Sequence, residues 1–192
     1  AIERFGEIYG YESRWRKNDG TTIIVRENST AVRDASGKTL YYEGTIEDIT
    51  SQRQTQDELK YRAGFEALVT RVYASFVNAF AEEVDERIET SLQWIGEFMR
   101  VDRGYVFMLS EDGAWMSNTH EWCREEISEE KDNLQNLDVK LFPWLMPKLR
   151  NMEVENIPYV EELPPEAEKE RKEFKREKIN SLVLVPLVCQ AA

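Results

Sequence analysis

The sequence is short of the side chains on which most chemistry depends. It has a single histidine, His120, and two cysteines, Cys123 and Cys189, among 192 residues. Two cysteines form no disulfide framework and cannot alone make a structural zinc site. Such usage fits a reducing cytoplasm. With one histidine and no nucleophile–base pair in view, nothing supports an isolated hydrolase. Long hydrophobic runs are missing as well. The longest, Leu182 to Val188, falls far short of the roughly 20 residues that a membrane helix needs. The opening Ala1-Ile2-Glu3-Arg4-Phe5 is too mixed for a signal peptide, so any anchor is expected outside this stretch. Positive charge is scarce in one part only. Residues 1–64 hold ten Lys+Arg against eleven Asp+Glu, whereas residues 65–192 hold 15 against 26, so most of the net charge of −12 lies in the second part. That balance argues against a basic face for nucleic acid or anionic membrane.

What is present is ordinary globular material, 41% hydrophobic and 11% aromatic, enough for one large or two small domains. Tyr9 to Lys17 reads as a strand ended by the turn Asn18-Asp19-Gly20. Thr21 to Val32, rich in β-branched residues, reads as a second. The turn Asp34-Ala35-Ser36-Gly37 leads to a third, Lys38 to about Glu47. Together they predict an antiparallel meander too small to fold confidently alone. Ser51 to Arg62 predicts a polar helix, closed by Gly64. From Phe65 the residues Leu68, Val69, Val72, Tyr73, Phe76, Val77 and Phe80 recur at helical spacing and predict a broad buried face.

A second helix is expected after Asp85, with Ile88, Leu92, Ile95 and Met99 on one stripe. Strands follow at Arg103–Leu109 and Ala114–Cys123, then a polar loop over 124–140, a short helix over Phe142–Arg150 and a brief strand over Glu153–Ile157. Pro164-Pro165 open a charged helix whose acidic start and basic end suit the helix dipole. The apolar run within Asn180–Val188 predicts a central strand buried on both faces. With so little sequence after it, the second domain is expected to be incomplete.

The first segment resembles the C-terminal half of a PAS domain. The likeness is carried by Tyr11-Glu12-Ser13-Arg14-Trp15-Arg16-Lys17-Asn18-Asp19-Gly20, Ala31-Val32-Arg33-Asp34-Ala35-Ser36-Gly37 and Gly44-Thr45-Ile46-Glu47-Asp48-Ile49-Thr50. Residues 65–189 resemble a GAF domain through Val101-Asp102-Arg103-Gly104-Tyr105-Val106-Phe107, Asn118-Thr119-His120-Glu121-Trp122-Cys123, Ile157-Pro158-Tyr159-Val160 and Asn180-Ser181-Leu182-Val183-Leu184-Val185-Pro186-Leu187. The expected fold is therefore α+β: residues 1–50 a partial PAS-type meander, 51–64 a connecting signalling helix, 65–192 a GAF-type antiparallel sheet with flanking helices, lacking its C-terminal end.

The resemblance implies a non-catalytic, cytoplasmic input region of a multidomain signalling protein. Its output would be a histidine kinase, or else a cyclic-dinucleotide enzyme. Pairing of the helix in a homodimer is expected, and no direct membrane contact. A scaffold that binds a protein partner without a small ligand is the alternative. In PAS domains the Asp-Ile-Thr element starts the output helix, so Asp48, Ile49 and Thr50 are candidate signal-coupling residues, with Arg14 or Arg16 as partner to Asp48. Tyr105, Phe107, Trp115, Trp122 and Trp144 fall in segments that usually line a GAF cavity. They could enclose an unidentified small molecule with His120 and Cys123, or simply pack a core.

Other motifs reduce to simpler readings. Gly37-Lys38-Thr39 lacks the earlier Gly of a phosphate loop, position 32 being Val. His120-Glu121 sits on an expected strand, not on the exposed helix of a phosphoacceptor. His120 and Cys123 are too few for a metal site, and Cys123 lacks the surroundings of a bilin attachment site. Asn28-Ser29-Thr30 is an accidental sequon in a cytoplasmic protein.

Overall fold

The computed structural model describes residue 2 and residues 6–77 and 79–188. Cys189 lies outside them. The chain divides into two compact units, Ala1–Val69 and Thr70–Ala192.

In the first unit, β1 (Glu7–Arg16), β2 (Thr22–Arg33) and β3 (Thr39–Asp48) form an antiparallel sheet in the order β1-β2-β3. The turns do what their residues dictate. Asp19 Oδ1 accepts the Thr21 amide at 2.8 Å while Gly20 takes φ 87°. In the second turn Asp34 Oδ1 accepts the Ser36 amide and hydroxyl and the Lys38 amide, and Gly37 takes φ 85°. Both are side-chain-nucleated turns closed by a left-handed glycine. Gly37-Lys38 is thus a hairpin turn.

Helix α1 (Thr50–Phe76) then runs 27 residues, about 40 Å at 1.5 Å per residue. This corrects two expectations. Gly64 does not end the helix: in a helix interior it costs only about 1 kcal/mol relative to alanine, too little to break a long element. The predicted apolar face is not buried either. Phe65, Val69, Tyr73, Phe76, Val77 and Phe80 are exposed and the helix has no buried residue. Three-and-four spacing reports that a face is apolar, not that this chain covers it.

The second unit opens with helix α2 (Val84–Met99), followed by β4 (Arg103–Leu109), β5 (Trp115–Cys123) and β6 (Leu137–Asp138) in an antiparallel sheet ordered β4-β5-β6. The end of α1 meets α2 through the Arg71 guanidinium, 3.7 Å over the Trp94 ring. The stripe that α2 buries is rotated from the predicted one. Ser91 and Gly96 are buried, Ile88 and Leu92 half-buried, and Ile95 and Met99 exposed. Gly96 explains the rotation, because the Trp122 ring of β5 occupies the place of its missing side chain. An indole against a bare helix backbone draws that face to the sheet.

Helix α3 (Met146–Arg150) is shorter than predicted. It is followed by β7 (Glu155–Ile157), α4 (Glu168–Arg176) and β8 (Leu182–Leu184). A core of Phe142, Leu145, Met146, Ile157, Val160, Leu163, Ala167 and Phe174 joins them. Glu170, fully buried, accepts the Trp144 and Leu145 amides at 2.6 and 3.1 Å, so one carboxylate of α4 satisfies orphan donors ahead of α3. The predicted central strand over Asn180–Val188 is corrected. Among the described residues β8 has three residues and pairs only with β7, and Val183, Val185, Leu187 and Val188 are exposed. An apolar run states a capacity for burial on two faces, and the described residues supply one neighbour. Among the described residues no helix is long and apolar enough to cross a membrane.

Replacing Gly96 by alanine should destabilise the second unit. The added Cβ would overlap Trp122 Cζ3 and Cε3. Overpacking of this kind costs roughly 1–3 kcal/mol, against about 1 kcal/mol gained in helix propensity. Urea unfolding should show a net loss. A gain would mean that Trp122 moves aside freely.

Candidate functional site

Two places concentrate polar geometry, one in each unit. The first is the join of β3 to α1. Ile49 and Val25 are each 1% exposed and anchor it. The Ile49 amide donates to Ile24 O at 2.9 Å, so the sheet ladder continues to the last residue before the helix. The Ile49 carbonyl accepts the Arg53 amide at 2.9 Å, the first bond of the helix. Thr50 Oγ1 accepts the Ile24 amide at 2.9 Å and donates to Asp48 Oδ1 at 2.6 Å, while the Thr50 amide donates to the same oxygen at 3.1 Å. Asp48, Ile49 and Thr50 thus bind strand to helix through one continuous network. The hydroxyl and amide of Thr50, then Lys17, hold the Asp48 carboxyl below its ordinary value.

The ionic partner of Asp48 is Lys17 at 3.7 Å, which corrects the expectation of Arg14 or Arg16. The register gives the reason. Asp48 and Ser13 both face Val25, so they share one side of the sheet. Strand alternation sends Arg14 and Arg16 to the other side and returns the chain near Asp48 at Lys17. On that other side Glu12 receives Arg53 Nε and Nη2 at 2.9 and 2.5 Å and lies 3.6 Å from Arg26, which also reaches Glu47 at 3.6 Å. This second tie between sheet and helix was missed, because Glu12 and Arg53 are far apart in sequence and carry no motif.

The second place is a hollow of about 440 Å³ lined by Asp85, Glu89, Met108, Thr119, His120 and Lys131. His120 is 7% exposed. Its Nε2 lies 3.1 Å from Asp85 Oδ1 and its Nδ1 lies 3.0 Å from Thr119 Oγ1. Lys131 Nζ approaches Glu89 at 3.5 Å. A β-bulge makes this possible. Val106 faces His120 and Phe107 faces Asn118, which leaves Thr119 as the extra residue of β5. Bulges re-aim side chains, and here two successive residues line one hollow.

Of the seven residues proposed for ligand binding, His120 alone lines this hollow. Tyr105 and Phe107 stand next to each other on β4, ring centroids 5.8 Å apart. Trp122 covers Gly96, and Trp115 is exposed at the start of β5. Trp144 packs against the Phe142 core with Lys148 Nζ 3.6 Å over its ring. Trp122 and Trp144 thus pack against different partners. The Cys123 thiol donates to Glu121 Oε1 at 3.2 Å; burial, then that acceptor, pushes its pKa up to about 12, so it remains a protonated thiol with little nucleophilic character. Among the described residues no group of three or more His, Cys, Asp or Glu is arranged to hold a metal ion.

A further buried acid lies at the end of α4. Glu177 is 7% exposed, and burial raises its carboxyl to about 7, with Glu173 and Glu130 adding to the rise and Arg176 and Arg103 opposing it. Arg103 Nη1 donates to the Glu177 carbonyl at 3.2 Å and to the Tyr105 hydroxyl at 3.1 Å. Because the folded chain holds a proton here above the ordinary glutamate value of 4.5, this group favours the folded state at low pH. Its contribution falls as pH rises from about 4.5 to about 7. Glu177→Gln should flatten that slope and be the more stable protein at pH 8, as read by melting at pH 5 and pH 8. An unchanged slope would exclude this group as its source.

No protein-family model matches the chain, and neither does any curated protein.

Proposed function

We propose that this chain is a sensory input region of a multidomain signalling protein, a PAS-type meander and a GAF-type unit joined through α1. A histidine kinase is the first choice for its output and a cyclic-dinucleotide enzyme the second. The observation that carries the reading is the join at Asp48-Ile49-Thr50, where the last strand passes into a 27-residue helix without a loop residue between hydrogen-bonded sheet and hydrogen-bonded helix. A displacement of the sheet is then also a displacement of the first helical turn. The family resemblance supports the same assignment, with no catalysis in this region and a cytoplasmic setting.

The helix adds a second support. Its apolar residues, Phe65, Leu68, Val69, Val72 and Phe76, recur along one side and are exposed or half-buried, which suits parallel pairing of two copies in a homodimer. To drive such a helix from 1:99 to 99:1 between two arrangements, an input must discriminate them by about 5.5 kcal/mol. The scaffold reading remains the second one, favoured by the dispersal of the aromatics: a partner protein would then supply the input that a small molecule does not.

Asp48→Ala tests the reading. Removing the acceptor of the Thr50 amide and hydroxyl should leave the sheet folded by circular dichroism and abolish the response of output activity to input in the full-length protein. Unchanged regulation would overturn it. Sedimentation should show dimer at high concentration, and monomer throughout would remove the pairing. Mass spectrometry of the purified chain separates sensor from scaffold through a retained small molecule.

A further inference from the structure

We propose that Glu12 and Arg53 are positioning residues whose pair fixes the direction in which α1 leaves the first sheet, and so couples sheet to helix. The inference rests on the signalling reading and extends it from the join itself to a side chain of the far strand.

The start of the helix is attached to each strand in turn. Chain continuity through Ile49 attaches it to β3. Thr50 Oγ1, accepting the Ile24 amide at 2.9 Å, attaches it to β2. Arg53, whose Nε and Nη2 both donate to Glu12 Oε2 at 2.9 and 2.5 Å, attaches it to β1. The first two attachments meet at the first helical residue and leave a hinge there, because a rod held at one end can still swing. Arg53 lies three residues further on, about 4.5 Å along the axis. It reaches β1, which in the order β1-β2-β3 stands two strand spacings, roughly 10 Å, from β3. A third attachment away from the hinge removes the swing.

Geometry favours this pair over the ionic contact of Asp48. Partly exposed ion pairs hold little unless the contact is two-pronged or belongs to a network. Lys17 and Asp48 stand 3.7 Å apart, with side chains 50% and 46% exposed. Arg53 and Glu12 are 35% and 28% exposed, and their contact is both two-pronged and networked. Glu12 Oε1 faces Arg26 Nη2 at 3.6 Å, and Arg26 Nη1 faces Glu47 Oε2 at 3.6 Å. Glu12, Arg26 and Glu47 stand in register across the three strands, so one row of alternating charge crosses the sheet and ends on the helix. The Arg53 guanidinium also donates through Nη1 to Gln56 Oε1 at 3.0 Å, which holds it against the next helical turn.

The mechanical consequence follows from the two anchors. A slide of β1 against β3 moves Glu12 relative to Ile49, and a helix held at both must turn with it. With the pair broken, the hinge alone remains and the slide is not passed on. Helix α1 has no acid in its first turn and no buried residue, so burial does not duplicate the brace.

The test uses the whole chain with Glu12→Gln, Arg53→Gln, both together and Arg53→Lys, with Lys17→Gln as control. In the unmodified chain, N–H residual dipolar couplings of residues 54–62 and of β2 should fit one alignment. In either glutamine variant the α1 couplings should shrink while those of β2 keep their values. Hydrogen-exchange protection of residues 54–58 should fall about fivefold, the upper end for a partly exposed ion pair, and the Ile24 amide, at the hinge, should keep its protection. The double variant should match the singles, because both residues act through one contact. Arg53→Lys, which keeps the charge and loses the fork, should shrink the α1 couplings too, and Lys17→Gln should not. Unchanged couplings in the single variants overturn the proposal. So do additive losses in the double variant, or a loss shared by Ile24 and β2, the mark of a merely stabilising pair. Should a glutamine variant not fold, Arg53→Lys decides. In the full-length protein, regulation lost in Asp48→Ala but kept in Arg53→Gln overturns the brace and leaves the signalling reading standing. Regulation kept in both ends that reading, and the couplings then decide the brace alone.

Discussion

The hydrogen bond from the Ile24 amide to Thr50 Oγ1 is the constraint on which the first unit turns. It ties a donor of the central strand to the first residue of the helix, and the same hydroxyl then points its own hydrogen at Asp48. Only a residue that accepts and donates through one atom can stand there, and it must be compact enough to enter a helix at once. Serine or threonine meets that condition. Ile49 between the two polar residues faces inward at 1% exposure, so the polar network is backed by a buried apolar contact. Polar bonds set the direction of the chain at this point and burial supplies the energy that holds it.

The second unit solves a similar problem, a helix laid on a sheet, with other means. There the approach is steric, through a glycine that leaves room for an indole, and the polar contact is made possible by a bulge at Thr119. Neither device leaves a pattern in hydrophobicity. Gly96 sits among helix formers where propensity alone counts against it, which is the one local signal that something approaches its backbone closely.

What the sequence made legible is what is encoded within a few residues. The meander, both of its turns and the start of α1 follow from Asn18-Asp19-Gly20, Asp34-Ala35-Ser36-Gly37 and Asp48-Ile49-Thr50, because turn and cap chemistry is local. The strands β4 and β5 were readable for the same reason. Contacts set by register were not. Arg14, Arg16 and Lys17 are near neighbours in sequence, yet only the pairing of Ser13 and Asp48 with Val25 decides which can meet Asp48. The aromatics of the second unit depend on the same kind of non-local information: alternation along β4 and β5, and the separate core around Phe142, set their surroundings.

Helix α1 presents the remaining tension between local preference and observed structure. A long helix draws most of its stability from packing of one face rather than from propensity, yet α1 has no buried residue, no acid in its first turn and no base in its last. A glycine lies near its middle. At its start it is held by the Thr50 network and the Glu12–Arg53 pair, and near its finish by Arg71 on Trp94. The exposed pairing of Arg62 with Glu66 at i,i+4 is worth only a few tenths of a kcal/mol. The residues that could contribute most, Phe65, Val69 and Phe76, are those left facing solvent. At roughly 25 cal/mol per Å² of apolar surface, covering them would stabilise the helix more than any change at its ends. Whatever surface meets that face therefore controls the part of the chain least determined by its own interior.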